Sequence, residues 1–201
     1  ETAVATGATH LSFYQLTIEP GTAFAKRLPE GLPDEDLCAD MSDLVIGALL
    51  KAGFEHYEVS GYARPGRRCR HNLNYWTFGD YVAAGAGAHG KVTTNEGVVR
   101  EVRHMSPRKY MASVLEKGSG IAERRRVEAE DLPFEFMLNA LRLTEGVPAA
   151  LFEARTGLPL EVVSPALGTL RAQGLLEEDE ALIRPTARGR AFLSDLQEAF
   201  L

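Results

Sequence analysis

The order of predicted elements near the start of this chain is the feature that most restricts its fold. Residues 10–19 form an apolar run rich in aromatic and β-branched side chains and end at a Pro-Gly pair, which is typical of a strand buried on both faces of a parallel sheet. A helix is predicted at residues 34–53, and a short strand follows at residues 54–60. This strand, helix, strand order predicts an α/β fold.

The remaining elements are smaller and of mixed type. Alternation at residues 91–103 around a central turn predicts a β-hairpin, and Ser106-Pro107 predicts the start of a helix ending near Lys117. Beyond residue 126 the sequence predicts helices at residues 132–143, 148–156, 162–173 and 186–200, with a β-ribbon formed by residues 175–177 and 182–184. Three helices, a ribbon and a terminal helix resemble a winged helix. We therefore expect α+β content here, in two domains at residues 1–126 and 127–201.

Composition indicates an ordinary globular protein. The chain is 45% hydrophobic and 25% charged, and no apolar run approaches the length of a membrane span. Its two cysteines, Cys38 and Cys69, lie far apart in sequence and do not form the dense pattern of a secreted disulfide scaffold. We expect a cytoplasmic protein.

Charge is concentrated in the middle of the chain. Residues 61–126 carry 13 Lys and Arg against 5 Asp and Glu, between two acidic flanks. This distribution favours an anionic partner for the middle segment, although a solvated basic face explains it equally well. A winged helix suggests nucleic acid, but its predicted recognition helix has Arg171 as its only cation and its wing is acidic, which argues against phosphate binding. A structural or nucleic-acid-binding module is therefore the third of three functional alternatives.

The densest cluster of chemically versatile side chains lies at residues 64–76. If residues 70–76 are helical, His71 and Tyr75 share one face and Asn72 and Trp76 share the next. Imidazole, phenol and indole groups beside several guanidinium groups suit a flat, acidic, metal-bearing or redox-active partner. The alternative is that the two aromatic residues belong to the core and that His71 bonds the backbone.

A glycine-rich segment follows this cluster. Residues 85–90 match the G-x-G-x-x-G dinucleotide pattern, but the next residues favour a strand and no acidic residue follows at the required spacing. Close approach of the backbone to a ligand or strand explains these glycines better. We expect several residues to line a site at strand ends: Tyr14, Gln15, Glu19, Glu58, Ser60, Gly85, Gly87 and His89.

Separate motifs in a fixed order carry a family resemblance. They are the run at residues 10–22, Tyr-Glu-Val-Ser at 57–60, His-Asn-x-x-Tyr-Trp at 71–76, Gly-x-Gly-Ala-His at 85–89 and Leu-Arg-Leu-Thr-Glu-Gly at 141–146. Together they resemble the oxygen-independent coproporphyrinogen III oxidase-like family of radical S-adenosylmethionine (SAM) proteins. The His-Asn-x-x-Tyr-Trp motif looks like the haem chaperone branch of that family.

The resemblance implies a parent protein with a partial (βα) barrel that holds a [4Fe-4S] cluster and SAM, followed by a small helical C-terminal domain. Residues 11–19 would then be the last barrel strand. The cluster motif C-x-x-x-C-x-x-C does not occur in this chain, and Cys38 and Cys69 cannot replace it, because the cluster needs three closely placed thiolates. We therefore expect a C-terminal fragment that holds neither cluster nor SAM.

The resemblance also implies a role in haem metabolism. Haem binding and transfer to a haem-accepting protein is the preferred activity, and anaerobic oxidative decarboxylation of coproporphyrinogen III propionates is the alternative, so the sequence leaves open whether the protein is an enzyme. His71 is the expected axial ligand of haem iron, with the Cys69 thiolate as its competitor. Asn72, Tyr75 and Trp76 would complete the porphyrin site. Four arginines are the expected propionate partners: Arg64, Arg67, Arg68 and Arg70.

Overall fold

The computed structural model describes residues 1–201, and the chain divides into a first unit, Glu1–Cys69, and a second unit, Arg70–Leu201. Both units mix helices with antiparallel sheets, which confirms the predicted combination of helix and strand. No helix combines the length and apolarity that a membrane crossing requires. The expected domain boundary between residues 126 and 127 stays a prediction.

The first unit places one long helix beside a small sheet. Its elements in chain order are α1 Thr2–Ala5, β1 His10–Ser12, α2 Ala23–Lys26, α3 Glu35–Lys51, β2 Glu55–Glu58 and β3 Gly61–Ala63. The predicted helix is confirmed as α3. The Asp34 carboxylate accepts a hydrogen bond from the Leu37 N–H at 2.9 Å, which caps the first turn, and Gly53 adopts a φ of 81° just beyond the last turn.

The prediction of a doubly buried parallel strand at residues 10–19 is wrong. Only β1 forms, and it pairs antiparallel with β3, which lies between β1 and β2 in the sheet. The Phe13 N–H donates to the Ser60 carbonyl, but residues 14–19 have no strand partner, and the Tyr14 side chain is 78% exposed. An apolar run becomes a buried strand only where sheet neighbours and a covering layer exist, and this unit supplies neither for residues 14–19.

The second unit contains most of the helices. Its strands are β4 His89–Thr94, β5 Gly97–Arg103, β6 Ile121–Arg126, β7 Val147–Pro148 and β8 Leu182–Ile183. Its helices are α4 Arg70–Trp76, α5 Pro107–Lys117, α6 Leu132–Ala140, α7 Ala150–Thr156, α8 Ser164–Ala172, α9 Ala187–Ala191 and α10 Leu193–Glu198, with a short 3-10 helix at Leu160–Val162. Strands β4, β5 and β6 form one antiparallel sheet in that order.

Local sequence signals define several of these elements correctly. The predicted hairpin is β4 and β5, whose strands meet at Thr94 opposite Gly97. The predicted start of α5 is also confirmed, because the Ser106 hydroxyl accepts a hydrogen bond from the Lys109 N–H and Pro107 occupies the first turn. Gly157 ends α7 in the left-handed conformation, where a glycine is favoured.

Two predictions for the last 30 residues need correction. The ribbon between residues 175–177 and 182–184 is reduced to one bridge from Leu176 to Pro185, and β8 pairs with β7 instead. The Glu177 N–H donates to the Arg184 carbonyl beside this bridge. The single helix predicted at residues 186–200 is broken at Phe192, whose ψ is 44°. After this break, Leu196 and Phe200 are both buried.

Aromatic packing forms the core of the second unit. Phe136 of α6 is fully buried and lies edge-to-face against Phe78 at 5.7 Å and Phe152 at 5.3 Å between ring centroids. Phe78 is the one non-glycine residue with positive φ, at 54°. Burial of its ring offsets the cost of that backbone conformation.

A buried lysine in β4 joins the loop after α4 to the sheet of β4, β5 and β6. The Lys91 Nζ donates to the Asp80 carboxylate at 2.8 Å and lies 4.2 Å from the centroid of the Phe78 ring. The same carboxylate accepts hydrogen bonds from the N–H and the hydroxyl of Thr93. Burial lowers the pKa of Lys91 in spite of the facing carboxylate. Burial acts to raise the pKa of Asp80, but the hydrogen bonds from Lys91 and Thr93 outweigh it and lower that pKa.

We expect Phe136→Ala to reduce the free energy of unfolding of the second unit by about 3–5 kcal/mol, because it opens a cavity between two aromatic rings. Urea denaturation followed by circular dichroism measures the change. Leu138→Ala on the same helix is the matched control, because Leu138 is 42% exposed, and we expect a cost below about 1 kcal/mol. Equal costs for the two variants would contradict the assignment of Phe136 to the core.

We expect Asp80→Asn to lower the free energy of unfolding by about 1–3 kcal/mol at pH 7, because it leaves the buried Lys91 ammonium without its anion. The folded-state pKa of Asp80 is lowered, so its contribution is present above the unfolded-state pKa and is lost as the pH falls through the folded-state value. The difference between wild type and Asp80→Asn in urea denaturation should therefore narrow as the pH is lowered from 7 towards 3. Glu128→Gln, at an exposed position, is the control, and a difference independent of pH would contradict the argument.

Candidate functional site

Helix α4 carries the predicted cluster, and it is helical over Arg70–Trp76 as expected. His71 and Tyr75 share one face, with ring centroids 4.7 Å apart in an edge-to-face arrangement. His71 is exposed, and neither nitrogen of its ring has a hydrogen-bond partner. The imidazole is therefore held on one side by Tyr75 and is open to a ligand on the other.

The end of α4 is fixed by the loop that follows it. The Thr77 N–H donates to the Leu73 carbonyl and the Gly79 N–H to the Asn74 carbonyl, at 2.9 and 2.7 Å. The Asn74 side-chain amide donates to the carbonyl of Asp80 at 2.9 Å. A helix of seven residues has little stability of its own, so these bonds and the Lys91 ion pair maintain its position.

A set of contacts that the sequence did not predict supports the Tyr75 ring. The Tyr75 ring lies 4.3 Å from that of Tyr81, and the Tyr81 hydroxyl accepts a hydrogen bond from Arg100 at 2.6 Å. The Arg100 guanidinium is ion-paired with Glu135 of α6. Thirty-five residues separate Arg100 from Glu135, and no local pattern in the sequence joins them or links either one to α4.

Trp76 faces a different neighbour. The Arg142 guanidinium lies 4.2 Å from the centroid of the indole ring, in a cation-π arrangement. The Trp76 Nε1 atom is buried without a hydrogen-bond partner, and the residue is half-buried. One face of the indole is therefore covered by protein. Asn72, on the same side of α4, is half-buried and has an interaction partner within the protein.

The four predicted arginines divide into engaged and free side chains. In the first unit, Arg64 donates to the Ala52 carbonyl and lies over the Phe54 ring, and Arg68 is paired with Glu55 at 3.1 Å. Arg67 in the first unit and Arg70 in the second are exposed and form no ion pair. The two free guanidinium groups are the ones available to an anion without loss of an existing contact.

The predicted lining residues of the first unit do not share one solvent-facing surface. Glu58 and Ser60 are buried, whereas Tyr14, Gln15 and Glu19 are exposed. A carboxylate on a buried strand affects its surroundings, and burial followed by the charge of Glu58 raises the pKa of Tyr62. His10 adds a contact that the sequence did not predict, because its Nε2 atom lies 2.9 Å from the Tyr57 hydroxyl.

In the second unit, the glycine-rich segment bonds to backbone at Gly87 and to a side chain at Gly85. The Gly87 N–H donates to the His104 carbonyl at 2.9 Å, and the Gly85 N–H donates to the Tyr110 hydroxyl at 3.3 Å. Both glycines have positive φ. His89, at the start of β4, is exposed rather than buried in the core.

The residues of this chain do not fit an iron-sulfur cluster. Cys38 and Cys69 are both free thiols, and no group of three or more His, Cys, Asp or Glu side chains is arranged to hold a metal ion. A radical SAM cluster needs three closely placed thiolates. No reaction step through a cluster or SAM is therefore assigned to these residues.

Known proteins resemble this chain closely in sequence. Residues 127–192 match the family described as the HemN C-terminal domain. The chain is 46% identical over 193 residues to the heme chaperone HemW of Escherichia coli (strain K12), covering 96% of this chain and 50% of that protein. It is 32% identical over 204 residues to the heme chaperone HemW of Bacillus subtilis (strain 168), covering 100% of this chain and 53% of that protein. The chain thus spans about half the length of these curated relatives.

The fold is also found in a solved structure, described as coproporphyrinogen III oxidase (HemN) from Escherichia coli, a radical SAM enzyme. The match has a TM-score of 0.73 and covers 99% of this chain and 49% of that one, at 17% sequence identity. At this identity the likeness shows the fold alone. The HemN C-terminal domain match and the HemW relatives, which align with nearly the whole of this chain, show that the chain belongs to the HemN-like family that includes the heme chaperones HemW.

Proposed function

We propose that this chain binds haem as cargo through the side chain of His71 and passes it to a haem-accepting protein. The observation that carries the proposal is the exposed His71 imidazole, which has no hydrogen-bond partner and rests edge-to-face on Tyr75. The curated relatives named heme chaperones, which match over nearly the whole of this chain, support it. The proposal concerns the 201 residues of this chain.

Iron ligation needs only one side chain here, because the porphyrin itself supplies the four equatorial nitrogens. A neutral imidazole nitrogen with a free lone pair is a common axial ligand of haem iron. The absence of a multidentate metal group in this chain is compatible with this mode of binding. Cys69 is half-buried, and its thiol remains the competing ligand.

The surroundings of His71 suit the rest of the porphyrin. Tyr75 offers an aromatic edge, and the exposed Arg70 guanidinium lies next to His71 in sequence and can pair with a propionate. Arg64 and Arg68 would have to release their present partners to take this role, and Arg70 belongs to the same unit as His71, so we assign a propionate first to Arg70.

We expect His71→Ala to weaken haem binding about tenfold or more, because it removes the axial ligand, and a tenfold change equals about 1.4 kcal/mol. Haem titration of the full 201-residue chain, followed by Soret absorbance, measures this. His104→Ala, at another histidine of the second unit, is the matched control and should bind as wild type. Binding unaffected by His71→Ala, or lost only in Cys69→Ala, would contradict ligation by His71.

We also expect bound haem to leave this chain completely when apomyoglobin is added, because one exposed ligand and a surface site do not enclose the porphyrin. Loss of the Soret band of the loaded chain and growth of the myoglobin spectrum measure the transfer. The His71→Ala protein, loaded at higher haem concentration, should release haem faster than wild type. Retention of haem by the wild-type chain would count against the transfer part of the proposal.

A further inference from the structure

The sheet of the second unit ends in an unpaired basic strand. Strand β6 pairs with β5 on one side and has no strand on the other. Residues 124–126 of this strand are three consecutive arginines, and all three are exposed. An edge strand presents a row of unpaired backbone N–H and C=O groups that can pair with another extended chain.

The register of the sheet shows which backbone groups face outward. Arg125 lies opposite Arg100 and Arg126 opposite Val99, and the Val127 N–H donates to the Val98 carbonyl at 2.9 Å. In an antiparallel ladder the backbone groups of alternate residues point to the partner strand. Those of Val127 and Arg125 point to β5, so the N–H and C=O groups of Arg124 and Arg126 point away from the sheet.

The side chains of the same two residues share one face of the sheet. Successive strand side chains alternate between faces, so Arg125 lies on the other face, where it pairs with Glu135 at 3.5 Å. An open cavity of about 570 Å³ lies on the face of Arg124 and Arg126. Its lining residues are Thr94, Asn95, Glu96, Val99, Arg124 and Arg126.

The charges of Arg124 and Arg126 are only partly neutralised by neighbouring carboxylates. Arg126 forms no ion pair, and its side chain lies over Gly97. The Arg124 side chain is 61% exposed, and its Nε atom is 3.6 Å from Glu101. That carboxylate is also paired with Arg103, at 3.1 Å. Two cations on one face of an edge strand therefore have capacity for further carboxylates.

We propose that the outer edge of β6 binds an extended acidic segment of a partner protein, which adds to the sheet as a fourth strand. Residues directly opposite in a hydrogen-bonded pair exchange both backbone hydrogen bonds, so each partner residue facing Arg124 or Arg126 also has its side chain on the cavity face. Alternate residues of a strand are about 7 Å apart, so acidic residues two positions apart match the two arginines. Each carboxylate then accepts a charge-assisted hydrogen bond from one guanidinium. This inference is independent of haem binding.

The competing explanation is that the arginines only protect the edge. Charged side chains on an edge strand prevent pairing with other strands, and such an edge would bind no peptide. The two explanations differ in what they require of the ligand. A docking edge needs both the carboxylates and the backbone N–H groups of the ligand, whereas a merely basic surface needs the carboxylates alone.

The test is a titration of a fluorescent Val-Glu-Val-Glu-Val peptide with the full chain, followed by anisotropy. We expect saturable binding that weakens as salt is raised, because exposed charge pairs are screened. A peptide with Gln in place of both Glu residues, and one with N-methylated backbone amides at the two Glu positions, should each bind about tenfold or more weakly. Absence of saturable binding, or equal binding of the N-methylated peptide, would overturn the proposal.

Charge reversal locates the site. The double variant Arg124→Glu with Arg126→Glu should lose about tenfold or more in affinity for the Glu peptide and gain affinity for a Val-Lys-Val-Lys-Val peptide. The matched control reverses the same number of charges on α5, with Arg108→Glu and Lys109→Glu, and should keep wild-type affinity. Circular dichroism confirms that each variant is folded. Equal losses in the two double variants would refute the site. So would self-association of the wild-type chain, in gel filtration, that the β6 variant abolishes, because the edge would then bind a second copy.

Discussion

The buried ammonium of Lys91 is the constraint on which the second unit depends. It donates to the Asp80 carboxylate at 2.8 Å, and it lies 4.2 Å from the centroid of the Phe78 ring. Tyr81 and Lys91 also exchange both backbone hydrogen bonds, so the loop after α4 is fixed to β4 at several points. A buried charge that must keep its partner allows few alternative positions for that loop. Burial lowers the pKa of Lys91, and the hydrogen bond to Asp80 acts in the opposite direction. The same bond fixes the position of the loop.

This constraint extends to α4 through aromatic and charged contacts. The loop places Tyr81 beside Tyr75, and Tyr75 lies beside His71. Arg100 joins the Tyr81 hydroxyl to Glu135 and therefore to α6, whose Phe136 forms the core with Phe78. Helix α4 has only seven residues, so the packing that stabilises the second unit also supports its exposed His71. Positioning of His71 is therefore a tertiary property rather than a property of the motif alone.

Elements defined by neighbouring residues were predicted well, and pairings between residues far apart in the sequence were not. The helix start at residue 34, the Ser106-Pro107 start and the hairpin at residues 91–103 depend on neighbours within a few residues, and the structure confirms all three. The run at residues 10–19 has the composition of a buried strand, but burial depends on neighbours that composition does not reveal. The spacing of His71 and Tyr75 on α4 followed from helical periodicity, whereas the Arg100 and Glu135 pair had no local signal. Sequence thus predicted which side chains share α4 and did not predict what supports them.

In the proposed function, α4 would hold haem from one side only. His71 is supported by Tyr75 but is not enclosed, and neither nitrogen of its ring is committed to another group. A resident cofactor is usually enclosed, because enclosure buries most of its surface and slows its release. In the proposed function, an exposed axial ligand leaves the opposite face of the porphyrin open to a ligand from the recipient. Under this proposal, the network that orders the imidazole would stabilise haem binding without the enclosure that would oppose transfer.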